Sequence, residues 1–360
     1  MPAIIGGIAE PIIALTDTHF AGRIGPHDLA AVGIGSSFFL LVLWVLAQTR
    51  SAVLAVVARY YGAERLDEVR DLIPIALWLN IGLGVVFYAI TVPAAHAIFS
   101  LYTPDVAVQD KAMGYYTVRA LGHPLALAVF ALTGAFRGIQ NMRWGMWVSI
   151  IGALINVALN PLLIFGLGTW GGLGINGSAL ASVIAQACML CIALFITRTR
   201  TPFDLFPRRW HHPEFVPLLF NSGNLIARTI TLNSCYFLGN RYASHYGLAA
   251  IGAHTIAMQL WLFSAFFIDG YAAAGSVIAG RLNGAGDSKE MHRVSWQVVR
   301  ITVIIGAGLG LLYVLFYDVL GGLFTTDVTV LAAFHAVFWL VAVTQPVNAI
   351  AFAWDRIFKG

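Results

Sequence analysis

Charge is what this sequence is short of. Charged residues make up 11% of its 360 positions, against roughly 25% in an ordinary soluble domain, which is too few to solvate a globular surface. Cysteine is scarce too. Three residues exclude a disulfide-stapled secreted fold. Two of them, Cys188 and Cys191, have C-x-x-C spacing but lie inside an apolar run with no second pair, which excludes a zinc or thiol-redox centre. The Gly-rich stretch 168–174 lacks the Lys-Ser/Thr ending of a phosphate loop, so nothing here points to a nucleotide-driven pump. A basic leader is missing before the first apolar run, which holds Glu10 and Asp17 and is broken by Pro11; it is not a signal peptide.

What is there in abundance is apolar sequence. Hydrophobic residues reach 59% and the mean hydropathy is +0.79, the values of an integral membrane protein. About 20 apolar residues carry a helix across the ~30 Å of a hydrocarbon core. Ten such runs are predicted, at about 3–24, 30–58, 72–101, 112–136, 144–167, 176–197, 215–240, 249–280, 294–322 and 330–357. They are long and continuous rather than alternating, so an all-α membrane fold is expected and a β-barrel is not.

Lys and Arg give the orientation. Fourteen lie in the loops after the even-numbered spans and at the chain end, and only Arg23, Lys111 and Arg241 lie in the alternate loops. That places the N-terminus in the cytoplasm. The same asymmetry accounts for the formal net charge of +4 without a nucleic-acid partner.

The chain also repeats. Leu29-Ala30-Ala31-Val32-Gly33 returns as Leu248-Ala249-Ala250-Ile251-Gly252, offset by 219. From Gly62-Ala63 and Gly284-Ala285 onward the offset is 222: Thr103-Pro104-Asp105-Val106 matches Thr325-Thr326-Asp327-Val328, and Phe136-Arg137-Gly138 matches Phe358-Lys359-Gly360. Six spans separate equivalent points, an even number, so the halves run the same way through the membrane as parallel repeats. The organisation expected is an N-terminal six-helix bundle over 1–197, a cytoplasmic Pro- and Arg-rich linker over 198–214, and a C-terminal bundle over 215–360. The second half stops where the first has reached residue 138, so four of its six helices are expected, ten of twelve in all.

A charge inside a spanning helix costs at least ~2.5–3.5 kcal/mol and needs a partner or a purpose. Asp17, Asp269 and Asp355 lie inside spans, as do Arg50, Arg119 and Arg228, numbers that invite pairing. Arg50 stands at the repeat position of Asp269, which predicts that the two face one another across a central cleft. Asp17 differs, because its repeat position is Tyr236. An acid kept in one half of a symmetric scaffold is what a coupling-ion site would look like, and burial disfavours the charged form of a carboxyl. Asn156 and Asn160, four apart on one helical face, are predicted to hydrogen-bond it. Acid–base pairs such as Asp17 with Asp269, or His254, come with no nucleophile or metal constellation, so an enzyme is not expected.

Several segments together resemble the multidrug and toxic compound extrusion (MATE) family, most closely the branch of the DNA-damage-inducible F protein. They are Pro11 before Asp17-Thr18, Gly22-Arg23-Ile24-Gly25, Gly134-Ala135-Phe136-Arg137-Gly138, Asn156 to Pro161, Asn176 to Ser182, Asp269-Gly270 and Trp354-Asp355. The resemblance runs along essentially the whole chain. It implies a two-bundle efflux antiporter, acting as a monomer in a bacterial inner membrane. Such a protein exports bulky, often cationic amphiphiles in exchange for H⁺ or Na⁺, without a cofactor. It puts the family's span-one acid on Asp17 and its polar partners on Asn156, Asn160 and Ser182. Three departures stand out: Asn160 where relatives often have Asp, Ile13 where some have Tyr, and Arg356 where Gly usually follows the Asp355 acid. Two other readings stand beside it, a lipid-linked-sugar flippase that would use Arg50, Arg119 and Arg228, and an inactive fragment.

Overall fold

The computed structural model describes residues 13, 16, 17, 19–21, 23–166, 171–322 and 327–359. Among them every regular element is a helix. Compact packing divides the chain into two units, 4–223 and 224–360. Glu10, Pro11 and most of the first apolar run lie outside the described residues, although Asp17 is in helical backbone.

The first unit contains α1 (Pro26–Leu46), α2 (Thr49–Gly62), a 3₁₀ turn (Leu66–Val69), α3 (Leu72–Thr91), α4 (Ala95–Ser100), α5 (Val106–Arg119), α6 (Gly122–Gly138), α7 (Met142–Phe165) and α8 (Ile175–Arg200). α9 (Phe215–His245) carries the chain into the second unit, which holds α10 (Leu248–Gly284), α11 (Ser288–Leu315), α12 (Tyr317–Gly322) and α13 (Val328–Ile357). By length and composition seven helices among the described residues can cross a membrane, the α1–α2 run counting as one, or eight if α5 and α6, bent by 44°, form a single broken span. Of the ten runs expected, the first falls largely outside the described residues. The seventh is present as α9 but is not among these helices, because Asn221, Ser222, Asn224, Arg228 and Asn233 interrupt its apolar character.

The repeat is visible at the helix ends. Asp105 caps α5 by accepting from the N–H groups of Ala107 and Val108, at 2.9 and 3.3 Å. Its counterpart Asp327 caps α13 by accepting from those of Thr329 and Val330, at 2.8 and 3.2 Å. α2 and α10 both stop at the Gly-Ala of the repeat, where the N–H of Ala63 and of Ala285 bonds the carbonyls of Arg59 and Arg281 at 3.0 Å. Each cap satisfies donors or acceptors that a helix end leaves open.

Packing in the first unit joins α1 to α5, α2 and α3 to α6, and α8 to α5, α6 and α7. Two apolar clusters result. One gathers Val57, Leu72, Leu132, Phe136, Val148 and Met189, and the other Phe39, Leu43, Phe99, Tyr115, Tyr116 and Leu127. In the second unit α13 packs on α10 and α11, with Phe334, Phe338 and Tyr313 fully or nearly buried. Lipid tails are as apolar as leucine, so helix association depends on close approach. Gly306 and Gly310 of α11 supply it: a Cβ there would lie 2.7 and 2.6 Å from the carbonyls of Gln345 and Ala342. Large apolar side chains such as Val85, Ile90, Ile304, Leu311 and Leu340 stay exposed, as lipid-facing positions do.

Candidate functional site

Asp17 is 1% exposed, and three helices of its own unit converge on its carboxyl. From α7, Asn160 Nδ2 donates to Oδ1 at 3.0 Å and Asn156 Nδ2 to the same oxygen at 3.4 Å. From α8, Ser182 Oγ donates to Oδ2 at 2.8 Å. From α5, Tyr115 Oη donates to Oδ2 at 3.2 Å. The four-residue spacing of the two Asn turns both amides to one face of α7, and Asn156 also donates to Ser182 at 3.0 Å. Oδ1 therefore receives two amide donors and Oδ2 two hydroxyls.

That division matters chemically. An amide N–H₂ only donates, whereas Ser and Tyr hydroxyls can turn to accept. A proton on Oδ2 would find acceptors after a rotation about one C–O bond; a proton on Oδ1 would face two donors. The hydroxyl side continues outward, since Ser36 of α1 and Tyr115 are hydrogen-bonded at 2.9 Å. On the amide side, the Oδ1 atoms of Asn156 and Asn160 are buried without a hydrogen-bond partner, an arrangement that leaves two acceptor oxygens beside a carboxylate.

Arg119 is the charged neighbour of Asp17. It is 3% exposed, donates to Gln186 Oε1 at 3.0 Å and lies 3.6 Å over the ring of Phe39. Tyr115, Ser36 and Gln186 are the members that sequence reasoning missed. Tyr115 lies four residues before Arg119, one turn away on the same α5 face, and that spacing is the signal that could have found it.

A second set of charges gathers in the second unit. Arg228 of α9 meets Asp355 of α13 at 2.7 Å, and Lys359 reaches the other Asp355 oxygen at 2.6 Å. Asp269 of α10 is gripped through both oxygens by the guanidinium of Arg356, a partner that the repeat arithmetic did not name. Arg50 lies over the ring of Phe130, 5.4 Å from its centroid. No group of three or more His, Cys, Asp or Glu with metal-binding proximity occurs among the described residues.

Apolar helices of spanning length around a buried, hydrogen-bonded carboxyl describe an integral membrane protein with a polar site inside its bundle, and the family to which the chain belongs is one of transporters. The profile of the MatE family matches residues 2–162 and 225–360, and the chain belongs to that family. It is 28% identical over 372 residues to Protein DETOXIFICATION 44, chloroplastic, of Arabidopsis thaliana, a match spanning 100% of this chain and 70% of that protein. DNA damage-inducible protein F of Escherichia coli (strain K12) is 25% identical over 321 residues, covering 88% of this chain and 69% of its own length. A crystal structure of MATE in the bent conformation superposes with a TM-score of 0.90 at 21% identity, over 99% of this chain and 80% of that one.

Proposed function

We propose that this transporter is a secondary active efflux antiporter of a bacterial inner membrane, exporting bulky, often cationic amphiphiles against inward H⁺, with Asp17 as the coupling acid. The observation that supports this is the donor set itself: two amides on one carboxyl oxygen and two reversible hydroxyls on the other. Ionised, Asp17 satisfies all four donors. When a proton arrives on Oδ2, Tyr115 turns to accept it and donates its own proton to Ser36 instead, so the hydrogen bonds from α5 to the carboxyl rearrange with Tyr115 keeping an acceptor. The site can thus alternate between two states of its helices at small cost. The positive-inside distribution of Lys and Arg supports a cytoplasmic N-terminus.

Gradient-driven efflux of a lipophilic cation dye from proteoliposomes tests the assignment. Asp17→Asn should abolish pH-driven efflux while the protein still folds; undiminished efflux would overturn it. The unpartnered amide oxygens of Asn156 and Asn160 favour Na⁺ as a second reading, since a hard cation takes carboxylate and carbonyl oxygens. Efflux driven by a Na⁺ gradient at constant pH would select that ion, and its absence would leave H⁺. The flippase reading draws no support from the bases, since Arg119 is engaged by Gln186 and Arg228 by Asp355.

A further inference from the structure

The segment that follows α8 carries more positive charge than its own acids answer. From 198 to 210 it holds Arg198, Arg200, Arg208 and Arg209, and Asp204 alone opposes them. Asp204 is already held through both oxygens by Arg70. Arg208 reaches it only at 3.4 Å, with 67% of its side chain exposed. Arg209 meets no acid among the described residues. Between and beside these bases stand two large aromatics, Phe206 and Trp210, 68% and 67% exposed. All of them belong to the first unit, the half of the repeat whose six spans are all in the sequence.

Contacts with α3 and the turn before it set the depth of this segment. α3 starts at Leu72, directly after the charged stretch that ends in Arg70 and Asp71. Trp78 lies six residues further in, ~9 Å along the helix axis. Its Nε1 donates to the Leu205 carbonyl at 3.2 Å, and its ring meets that of Phe206 at 5.5 Å. At the helix start, Asp71 Oδ1 accepts from the backbone N–H of Arg208 at 3.3 Å. Further out again, His212 bonds the Glu68 carbonyl at 2.7 Å. The segment therefore climbs along α3, with Phe206 deepest and the bases level with the helix end.

Because α3 belongs to a helix able to span a bilayer, that climb maps onto the layers of the membrane. The polar region on each side of the hydrocarbon is ~5–7 Å thick, so Phe206 and Trp78 reach the acyl boundary while Arg208 and Arg209 stand among the headgroups. Trp78 is itself 37% exposed, so this flank of α3 faces outward. Bases that only set topology need to lie on the correct side; they need no aromatic pinned beside them at a fixed depth. Rings at the boundary with bases just above them match an anionic lipid, whose phosphate arginine binds through charge-assisted hydrogen bonds.

We propose that this flank of α3 and residues 206–210 form a binding surface for an anionic phospholipid of the surrounding bilayer. The headgroup phosphate sits against Arg208 and Arg209, and the acyl chains lie along Phe206 and Trp78. A zwitterionic lipid brings its own cation to the same two bases and is held less tightly. The bound lipid pins the segment to the first unit from the membrane side, as Phe203 does from the core. The inference needs only that α3 crosses a bilayer, so it stands apart from the exporter reading.

Tryptophan quenching by lipids brominated high on one acyl chain tests it, in proteoliposomes of mixed phosphatidylglycerol and phosphatidylcholine. Only one of the two lipids carries bromine in each sample, and the difference between the wild type and Trp210→Phe isolates the signal of Trp210. Quenching should be stronger when the phosphatidylglycerol is brominated. Replacing Arg208 and Arg209 together by Gln should lower that preference roughly fivefold for each base removed, while brominated phosphatidylcholine still quenches Trp210. Lys at both positions keeps the charge and should retain most of the preference, which separates lipid selection from misfolding. Asp17→Asn, the variant that tests the exporter reading, should leave the preference intact. A Trp210 quenched by neither lipid would place the segment outside the bilayer and overturn the proposal. Equal quenching by both lipids, or a preference that survives the Gln pair, would overturn it as well. Inorganic phosphate, compared with chloride at matched ionic strength, separates the headgroup from a soluble anion. An unchanged preference supports the lipid, and its loss assigns the bases to a soluble anion and overturns the lipid surface.

Discussion

Among the donors to Asp17, the Ser182 hydroxyl makes the shortest contact, at 2.8 Å, and both residues are fully or nearly buried. Ser182→Ala removes that donor and leaves Oδ2 with Tyr115 alone. A hydrogen bond to a buried carboxylate contributes about 1–3 kcal/mol, so the variant should unfold at lower temperature in detergent and show an altered pH profile of efflux. Unchanged values for both would show that Ser182 is a packing residue. Chemistry decides how far this site was legible. Asp17 stands out because a lone acid in an apolar run is costly, and Asn156 and Asn160 because a four-residue spacing shares a face. Tyr115 and Gln186 do not stand out, since a Tyr or Gln in a spanning helix carries no charge and costs little on its own. Their role depends on which helices pack together, and α5, α7 and α8 are brought together only by the fold.

Helices meet in this molecule where side chains are small. Gly134 of α6 and Gly33 of α1 look alike in sequence, each a glycine inside a spanning helix, but their surroundings differ. A Cβ at Gly134 would be 2.6 Å from the Arg50 carbonyl oxygen, whereas one at Gly33 meets nothing within 4 Å. Gly134→Ala must push α2 and α6 apart, an overpacking cost of roughly 1–3 kcal/mol. Gly33→Ala should instead stabilise α1 by about 0.5–1 kcal/mol through backbone entropy. Thermal unfolding of the two variants in the same detergent gives opposite shifts; shifts of the same sign would refute the packing argument. Most helices were legible as apolar runs, since length and hydropathy alone define a span. α9 is the weakest of them, although the run predicted at 215–240 marks its position. Its 31 residues suffice to cross, but its polar side chains mean that hydropathy alone does not identify it as a span. The 44° bend between α5 and α6 falls beside Gly122 and Pro124, residue types that break or kink helices, although residues 112–136 read as one continuous apolar run.

At the scale of the molecule, the segment 198–214 shows how two units share one chain. Its Pro content suggested a semi-rigid spacer, and its contacts fasten it to the first unit. Phe203 is buried in that unit's core, Trp78 donates to the Leu205 carbonyl at 3.2 Å, and Glu214 takes Arg59 at 2.7 Å and the Tyr60 hydroxyl at 2.9 Å. The division between units accordingly falls after residue 223, inside α9. Asp204 is the electrostatic part of this attachment. Arg70 grips it through Nε and Nη2 at 2.9 and 3.0 Å, and the hydrogen bonds from Arg70, helped by the charge of Arg208, hold its carboxyl below the ordinary 3.8. A group whose folded pKa is depressed contributes its stability above the unfolded value and loses it as pH falls through the folded one. Hydrogen exchange at the amides of 203–206 should therefore be protected to the same degree from neutral pH down to the ordinary carboxylate range, after correction for intrinsic rates. Protection should then be lost at more acidic pH. Asp204→Asn should reproduce part of that loss at neutral pH, where Arg70 no longer faces a charge. The pair is well exposed, so its loss loosens the segment locally while Phe203 and Trp78 hold the chain nearby, and efflux should survive. Protection that declines steadily from neutral pH, or that is indifferent to Asp204→Asn, would mean that apolar burial alone secures the segment and that the Arg70–Asp204 pair adds nothing to it.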